Sequence, residues 1–326
     1  MSSTTLAYML NSTIIFMVPL LLVALGGMFS ERSGIINIAL EGIMVVGALF
    51  ACLFLNVSDA AGWGQLHPQL TMLAAVLVAG ICGMLLSLLL AFAAISLKAD
   101  QTIGGVALNI FAPAFAVIIA WAYQGNGITT INIPTWIRIG KITKESGFFE
   151  CVLFKSCYLT TPIAILLVLA AIFVLYKTRF GLRLRACGEH PQAADAVGVN
   201  VYKMRYSGTV ISGFLGGVGG LSYAIAAGSG FSGSVNGWGF LALAVMIFGN
   251  WQPVRIVGAA LFFALFKVVS SYYGSIPFLP DFSFISYSSY IYQATPYVLT
   301  MVVLIFTSKR SRAPKAEGIP YDKGGR

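Results

Sequence analysis

The chain has 326 residues, 58% of them hydrophobic and only 10% charged, and a mean hydropathy of +0.86. A water-soluble domain carries about a quarter charged residues, so this composition excludes water as the main solvent. The net charge of +9 gives no case for nucleic acid, because the cations fall in the gaps between apolar runs, where membrane topology puts them.

Apolar segments recur at about residues 6–29, 35–57, 70–97, 103–123, 159–176, 207–227, 239–250, 255–273 and 289–307. Runs of about 20 apolar residues cross a hydrocarbon core of roughly 30 Å. Lipid forces such runs into helices, since every backbone polar group must be satisfied within the segment. The expected fold class is an all-α polytopic membrane protein with about nine transmembrane or partly broken helices. The first segment has no Lys or Arg before it, exceeds a signal-peptide core in length and lacks a small-residue cleavage site, so it is expected to stay as a span.

Two segments read as weak. The stretch 103–123 is interrupted by Gly104, Gly105 and Pro113, and 237–249 is short and follows the glycine-rich 228–237, which suggests a broken or re-entrant helix. The segments starting at Phe29 and at Gly230 both open with Gly, Ser and Asn before turning apolar. They enter from opposite sides, which points to an inverted repeat relating spans one to four to six to nine, with a pathway between them. Plain glycine-mediated helix packing accounts for the same pattern.

Lys and Arg set the orientation. The loop 177–206 carries Lys177, Arg179, Arg183, Arg185, Lys203 and Arg205, and the tail carries Lys309, Arg310, Arg312, Lys315, Lys323 and Arg326. Both are predicted to be cytoplasmic. Nine crossings counted back from there place Arg32, Lys98 and Arg255 inside as well, with the N-terminus and the loop 124–158 outside. The domain reading is a transmembrane domain over 1–308, with 177–206 as its cytoplasmic loop, followed by a basic tail over 309–326. The tail's charge, Pro314 and Pro320 read as a solvated, disordered end with some attraction to anionic membrane lipid.

Of the five cysteines, Cys52 and Cys82 lie in apolar runs and read as small core residues, while Cys187 lies in the basic loop. Cys151 and Cys157 flank a short polar segment and pair if that loop faces an oxidising compartment, or stay free otherwise. The sequence holds no phosphate loop, no H-E-x-x-H and no C-x-x-C, and its two histidines, His67 and His190, have no catalytic partner. No enzyme reading survives, and no metal is expected.

Ionisable residues well inside apolar runs are Glu41 and Lys267. Charge in lipid is expensive and marks a candidate functional site. Asn37 and Glu41 are four apart and share a helix face. With Asn109 and Asn236 they form the candidate substrate pathway, the competing reading being a structural polar contact between helices. Lys267 is expected to reach an interface along its aliphatic stem.

In the basic loop, Pro191 suits the first helical position and Gly198 the left-handed position after a helix end, while His190 before proline is biased away from helix. A helix of about seven residues, roughly 10 Å long, is expected between them. Gln192-Ala193-Ala194-Asp195-Ala196-Val197-Gly198 resembles the E-A-A-x-x-x-G coupling motif of ABC importer permeases, with glutamine in place of the glutamate. The isoleucine and Leu-Pro that extend the motif in maltose-type permeases are absent, which fits the branched-chain amino acid and ribose group.

Ser30-Glu-Arg-Ser-Gly-Ile-Ile-Asn-Ile-Ala-Leu-Glu-Gly42 resembles the opening of the second helix in the nucleoside branch of that group. The resemblance implies a non-catalytic subunit whose Pro191, Gln192, Ala193, Ala194, Asp195 and Gly198 dock a cytoplasmic ATP-binding cassette ATPase. It implies a homologous second permease subunit and an extracytoplasmic substrate-binding lipoprotein as further partners. No cofactor is expected in this chain, ATP being used by the ATPase. Rival readings are an ion-gradient-driven transporter with Glu41 as its coupling site, a permease for sugars or branched-chain amino acids, and a structural membrane subunit.

Overall fold

A computed structural model describes residues 3–125, 127–139, 158–228, 230–273 and 312–323, with single positions between 292 and 305. The loop cysteines Cys151 and Cys157 lie outside the described residues. So does most of the apolar segment 289–307, although the positions described within it are helical.

In chain order the helices are α1 (Ser3–Arg32), α2 (Leu40–Ala60), α3 (Trp63–Leu66), α4 (Pro68–Ala91), α5 (Gln101–Gln124), α6 (Thr160–Lys177), α7 (Arg179–Glu189), α8 (Pro191–Ala196), α9 (Val201–Ala227), α10 (Trp238–Phe248) and α11 (Pro253–Ser271). A π-helical turn, Phe92–Ser96, prolongs α4. Seven of these elements are long and apolar enough to cross a membrane, namely α1, α2, α4, α5, α6, α9 and α11. The shorter α10 is apolar as well. The fold is the all-α polytopic membrane protein that the sequence predicts.

The interruption expected in 103–123 is not there. α5 is one continuous helix through Pro113. A single proline removes one backbone donor, and in lipid a helix is kept because its remaining groups have no other partner. Gly105 serves a close approach instead, since a Cβ there would sit 3.0 Å from Ile38 Cβ.

The centre of the bundle is α9, which packs on α1, α2 and α4. Apolar side chains give no driving force between helices in lipid, so association depends on close van der Waals contact. The glycines of α9 supply it. A Cβ at Gly213 would meet the carbonyl oxygen of Gly83 on α4 at 2.6 Å, and one on Gly26 of α1 would meet that of Ser212 at 2.9 Å. At Gly217 and Gly220 an added Cβ would run into the backbones of Ala79 and Met44. The glycine run is thus a packing surface on three sides. α5 and α6, by contrast, leave Ile103, Ile110, Leu166 and Phe173 exposed.

Two crossings are broken. The link 33–39 enters from the end where Arg32 sits and is not helical until Leu40. Its Ile38 carbonyl accepts from Asn109 Nδ2 at 2.8 Å, about 12 Å along α5 from its start. The segment that follows α9 enters from the opposite end, and α10 begins beside the first turn of α2. The two helix starts therefore meet inside the bundle after approaching from opposite ends.

The tail is not the solvated, disordered end that its composition suggests. Residues 312–323 form a strap across the end of the bundle that carries α7 and α8. The Arg312 amide donates to Asn250 Oδ1 at 2.9 Å, Ala316 to the Gly188 carbonyl at 2.9 Å, and Gly318 to the Gly34 carbonyl at 3.2 Å. Arg205 Nη1 donates to the Ile319 carbonyl at 2.9 Å, and Lys98 pairs with Asp322 at 3.0 Å. Ala316 and Tyr321 are buried. Composition misleads because the partners that order the strap come from five different parts of the chain.

Candidate functional site

The four polar residues assigned to a pathway are each hydrogen-bonded; Asn37 and Glu41 are buried, Asn109 is half-buried and Asn236 is exposed. Asn37 Nδ2 donates to Ser212 Oγ at 2.8 Å, and its Oδ1 is buried without a partner among the described residues. Asn109 bridges the break before α2, accepting from the Gly42 amide at 2.8 Å while donating to Ile38. Asn236, with a left-handed φ of 52°, donates to the Tyr223 hydroxyl at 2.8 Å. Glu41 accepts from the Gly237 amide at 2.7 Å and the Gly239 amide at 2.6 Å. α10 has no side-chain cap of its own, and its first amides point out of the helix with partial positive charge. The Glu41 carboxylate meets them from α2. Lys267 is half-buried one turn from the end of α11, within reach of an interface.

Space for a solute lies elsewhere. A cavity of about 460 Å³ is walled by Tyr8, Asn11, Ser12, Ile15 and Phe16 of α1, with Arg138, Tyr158 and the end of α9 opposite. A second cavity, of about 780 Å³, adjoins it through Arg138, Tyr158, Ile225 and Gly228. Both lie at the end of α1 remote from Arg32, about 36 Å along the helix from Tyr8. Sequence reading missed this wall. Its signal was present, as Tyr8, Asn11, Ser12, Ile15 and Phe16 stand at i, i+3, i+4, i+7 and i+8 on one helix face.

At the opposite end, the loop 177–206 is more ordered than expected. α7 precedes the predicted short helix, its N-terminus capped by Thr178 Oγ1 accepting from the Gly181 amide at 3.1 Å. Pro191 opens α8 and Gly198 has φ +82°, as the residue types predict. Gln192, Ala193, Ala196 and Val197 face outward, while Pro191 and Ala194 are buried and Asp195 is half-buried. Ala194 packs with Cys187, Val201, Met204 and Tyr321. Burial pushes the Cys187 thiol up to about 11, so it sits there as an inert apolar group. Burial and a side-chain hydrogen bond with Asp195 raise the Tyr321 hydroxyl to about 12.

The stretch Ser30–Gly34 explains itself here. Trp251 Nε1 donates to Glu31 Oε2 at 2.5 Å, and the Trp251 carbonyl accepts from Arg32 Nη2 at 3.0 Å and Nε at 3.2 Å. Asn250 and Trp251 both have φ above +50°, a conformation costly outside glycine and held by that grip. Arg32 also reaches Glu189 at 3.9 Å, and a Cβ on Gly188 would strike the Arg32 carbonyl. One motif thus ties α1 to the α10–α11 turn and to the end of α7.

Comparison with known proteins gives a consistent set of relatives. Residues 9–308 match the family described as branched-chain amino acid transport system / permease component. The chain is 42% identical over 324 residues, 98% of each chain, to the guanosine ABC transporter permease protein NupQ of Bacillus subtilis (strain 168). It is 39% identical over 327 residues, again 98% of each chain, to the nucleoside ABC transporter permease protein NupC of Lactococcus lactis subsp. cremoris (strain MG1363). A more distant match, 25% identical over 80% of this chain and 73% of the other, is the guanosine ABC transporter permease protein NupP of the same Bacillus.

Proposed function

The chain belongs to the branched-chain amino acid transport system permease family, and from that membership we propose that it is the membrane-spanning permease subunit of an ATP-binding cassette importer that carries nucleosides into the cytoplasm. The observation that carries the nucleoside reading is the identity of 42% with a guanosine permease along 98% of both chains. Sugars and branched-chain amino acids are the weaker choices on the same ground.

The chain itself is non-catalytic in this reading, and ATP is consumed by a separate cytoplasmic ATPase that docks on α8. The loop with α7 and α8 and the C-terminal strap face the cytoplasm, and Tyr8 with its cavity faces outside, an orientation supported by the Lys and Arg distribution. A second permease subunit completes the pore; Bacillus has both NupQ and the more distant NupP among the relatives. A substrate-binding lipoprotein delivers the solute from outside. Glu41 is a helix cap rather than a gradient-coupling group, since both its oxygens are engaged by amides.

The test is uptake of labelled guanosine by the reconstituted four-component complex in vesicles. Uptake that requires ATP, the ATPase and the binding lipoprotein is the expected result. Uptake by this chain alone on a proton or sodium gradient would overturn the importer reading, and ATP-driven uptake of a sugar or amino acid in preference to any nucleoside would overturn the substrate.

A further inference from the structure

The cavity beside α1 has a definite chemical character. Its one charged wall residue among those described is Arg138, whose Nε donates to the Tyr158 hydroxyl at 2.9 Å and whose guanidinium lies 5.9 Å from that ring's centroid. The cation is thereby held against the wall. No carboxylate stands among the described lining residues, so nothing selects a cationic solute.

What remains is aromatic and neutral-polar. Tyr8, in the wall, is 46% exposed. Phe16 also lines the cavity and leans on Trp238 with centroids 5.5 Å apart, and Trp238 leans on Tyr223 at 5.1 Å. Between the two rings of the stripe stand Asn11, largely buried behind the wall, and Ser12, within 3.2 Å of the Tyr272 hydroxyl. A cavity of about 460 Å³ falls in the range of small-molecule sites, about 300–1,000 Å³, which combine aromatic walls with a few placed polar groups. Flat heterocycles stack on such rings with little regard to sequence or substituent, and a sugar's hydroxyls exchange donors and acceptors with amide and hydroxyl side chains.

We propose that this cavity is a nucleoside-binding site belonging to the permease itself, in which Tyr8 and Phe16 take the base and Asn11 and Ser12 take the ribose. The inference rests on the nucleoside reading above and adds that the membrane subunit makes its own selection after delivery. The site also has a route to the rest of the fold. Phe16 touches Trp238, the first residue of α10, whose amide end is held by Glu41. A base stacked on Phe16 presses on the broken helix at its start.

The experiment uses the complete complex in vesicles with the binding lipoprotein held constant, and reads the half-saturating concentration for one purine and one pyrimidine nucleoside, normalised to assembled complex. Tyr8→Ala and Phe16→Leu remove a ring while keeping an apolar or small group. Each is expected to raise the purine value about tenfold and the pyrimidine value less, since the larger base loses more stacking. Ser12→Ala is expected to raise both equally. Leu77→Ala, on an exposed face of α4, serves as the control and should change neither. Unchanged values and an unchanged purine-to-pyrimidine ratio in both ring variants, with wild-type uptake intact, would overturn the site. Absence of nucleoside uptake by the assembled wild type would instead overturn the nucleoside reading, and with it the ligand class proposed for the cavity.

Discussion

Glu41, in the first turn of α2, accepts a hydrogen bond from the amide of Gly239 at 2.6 Å, and a Cβ on Gly239 would lie 2.5 Å from the Glu41 Cα. Two broken crossings are locked together at that point, one entering from each end of the bundle. The glycine admits the carboxylate, and the carboxylate supplies acceptors that lipid cannot.

Removal of that cap has a calculable cost. Glu41→Ala leaves the Gly237 and Gly239 amides without their acceptors in an apolar interior, at about 1–3 kcal/mol for each orphaned group. Thermal unfolding in detergent should shift down by several degrees and uptake should fall about tenfold or more. Glu41→Gln keeps one acceptor oxygen and should be intermediate. Neither variant is expected to alter any dependence of uptake on a pH gradient, and such a change would reinstate Glu41 as a coupling group.

The glycine seam should discriminate sharply between positions. Gly217→Ala and Gly220→Ala place a methyl inside the backbone of a neighbouring helix, and overpacking of this kind costs about 1–3 kcal/mol or more. Gly258→Ala meets nothing within 4 Å and should be neutral or slightly stabilising, because alanine favours helix over glycine by about 1 kcal/mol. Thermal stability of the purified subunit measures all three, and equal effects would mean that the seam does not set the packing.

On α8 the faces separate folding from docking. Ala193→Glu and Ala196→Glu lie on the outward face and should leave insertion and stability unchanged while weakening recovery of the ATPase at least tenfold. Ala194→Glu forces a carboxylate among Cys187, Val201, Met204 and Tyr321 and should lower stability by about 3 kcal/mol or more. Gly198→Val is strained at φ +82° whatever its surroundings. Co-purification of the ATPase, set beside unfolding temperature, tells the two classes apart. Normal ATPase recovery in both outward variants would remove the docking role from α8.

The strap should respond to pH. Burial pushes the Glu317 carboxyl up from 4.5 to about 7, against the smaller opposing effect of its hydrogen bond with Glu31. Glu31 is the ionisable group that faces it directly; Arg205 and Lys98 hold the strap farther along. A carboxyl raised on docking binds a proton as the strap docks. Docking is therefore strongest below about pH 4.5 and weakens as pH rises through about 7. Exchange of the Ala316 and Gly318 amides, corrected for intrinsic rate, should accelerate over that window in the wild type and stay level in Glu317→Gln. A level wild-type profile would contradict the assignment.

Hydropathy and charge by themselves determined that this chain is a bundle of membrane helices, and roughly where each begins, because lipid leaves the backbone one way to satisfy itself. Pro191 and Gly198 fixed α8 for an equally local reason, the backbone geometry that each residue permits. The break before α10 was legible from its glycines. The tertiary structure alone decided what the polar residues do. The side chains of Asn37, Glu41, Asn109 and Asn236 find their partners in other segments, at separations of up to 198 residues, although the Asn236 amide also donates to nearby Ser234. It also decided which side of α8 is free, since the burial of Ala194 depends on Tyr321 at the far end of the chain. Composition read the strap as solvated, whereas its order comes from Asn250, Gly188, Gly34, Arg205 and Lys98 gathered at one end of the bundle. A local pattern records what a residue needs; only the packed fold determines which distant group meets that need.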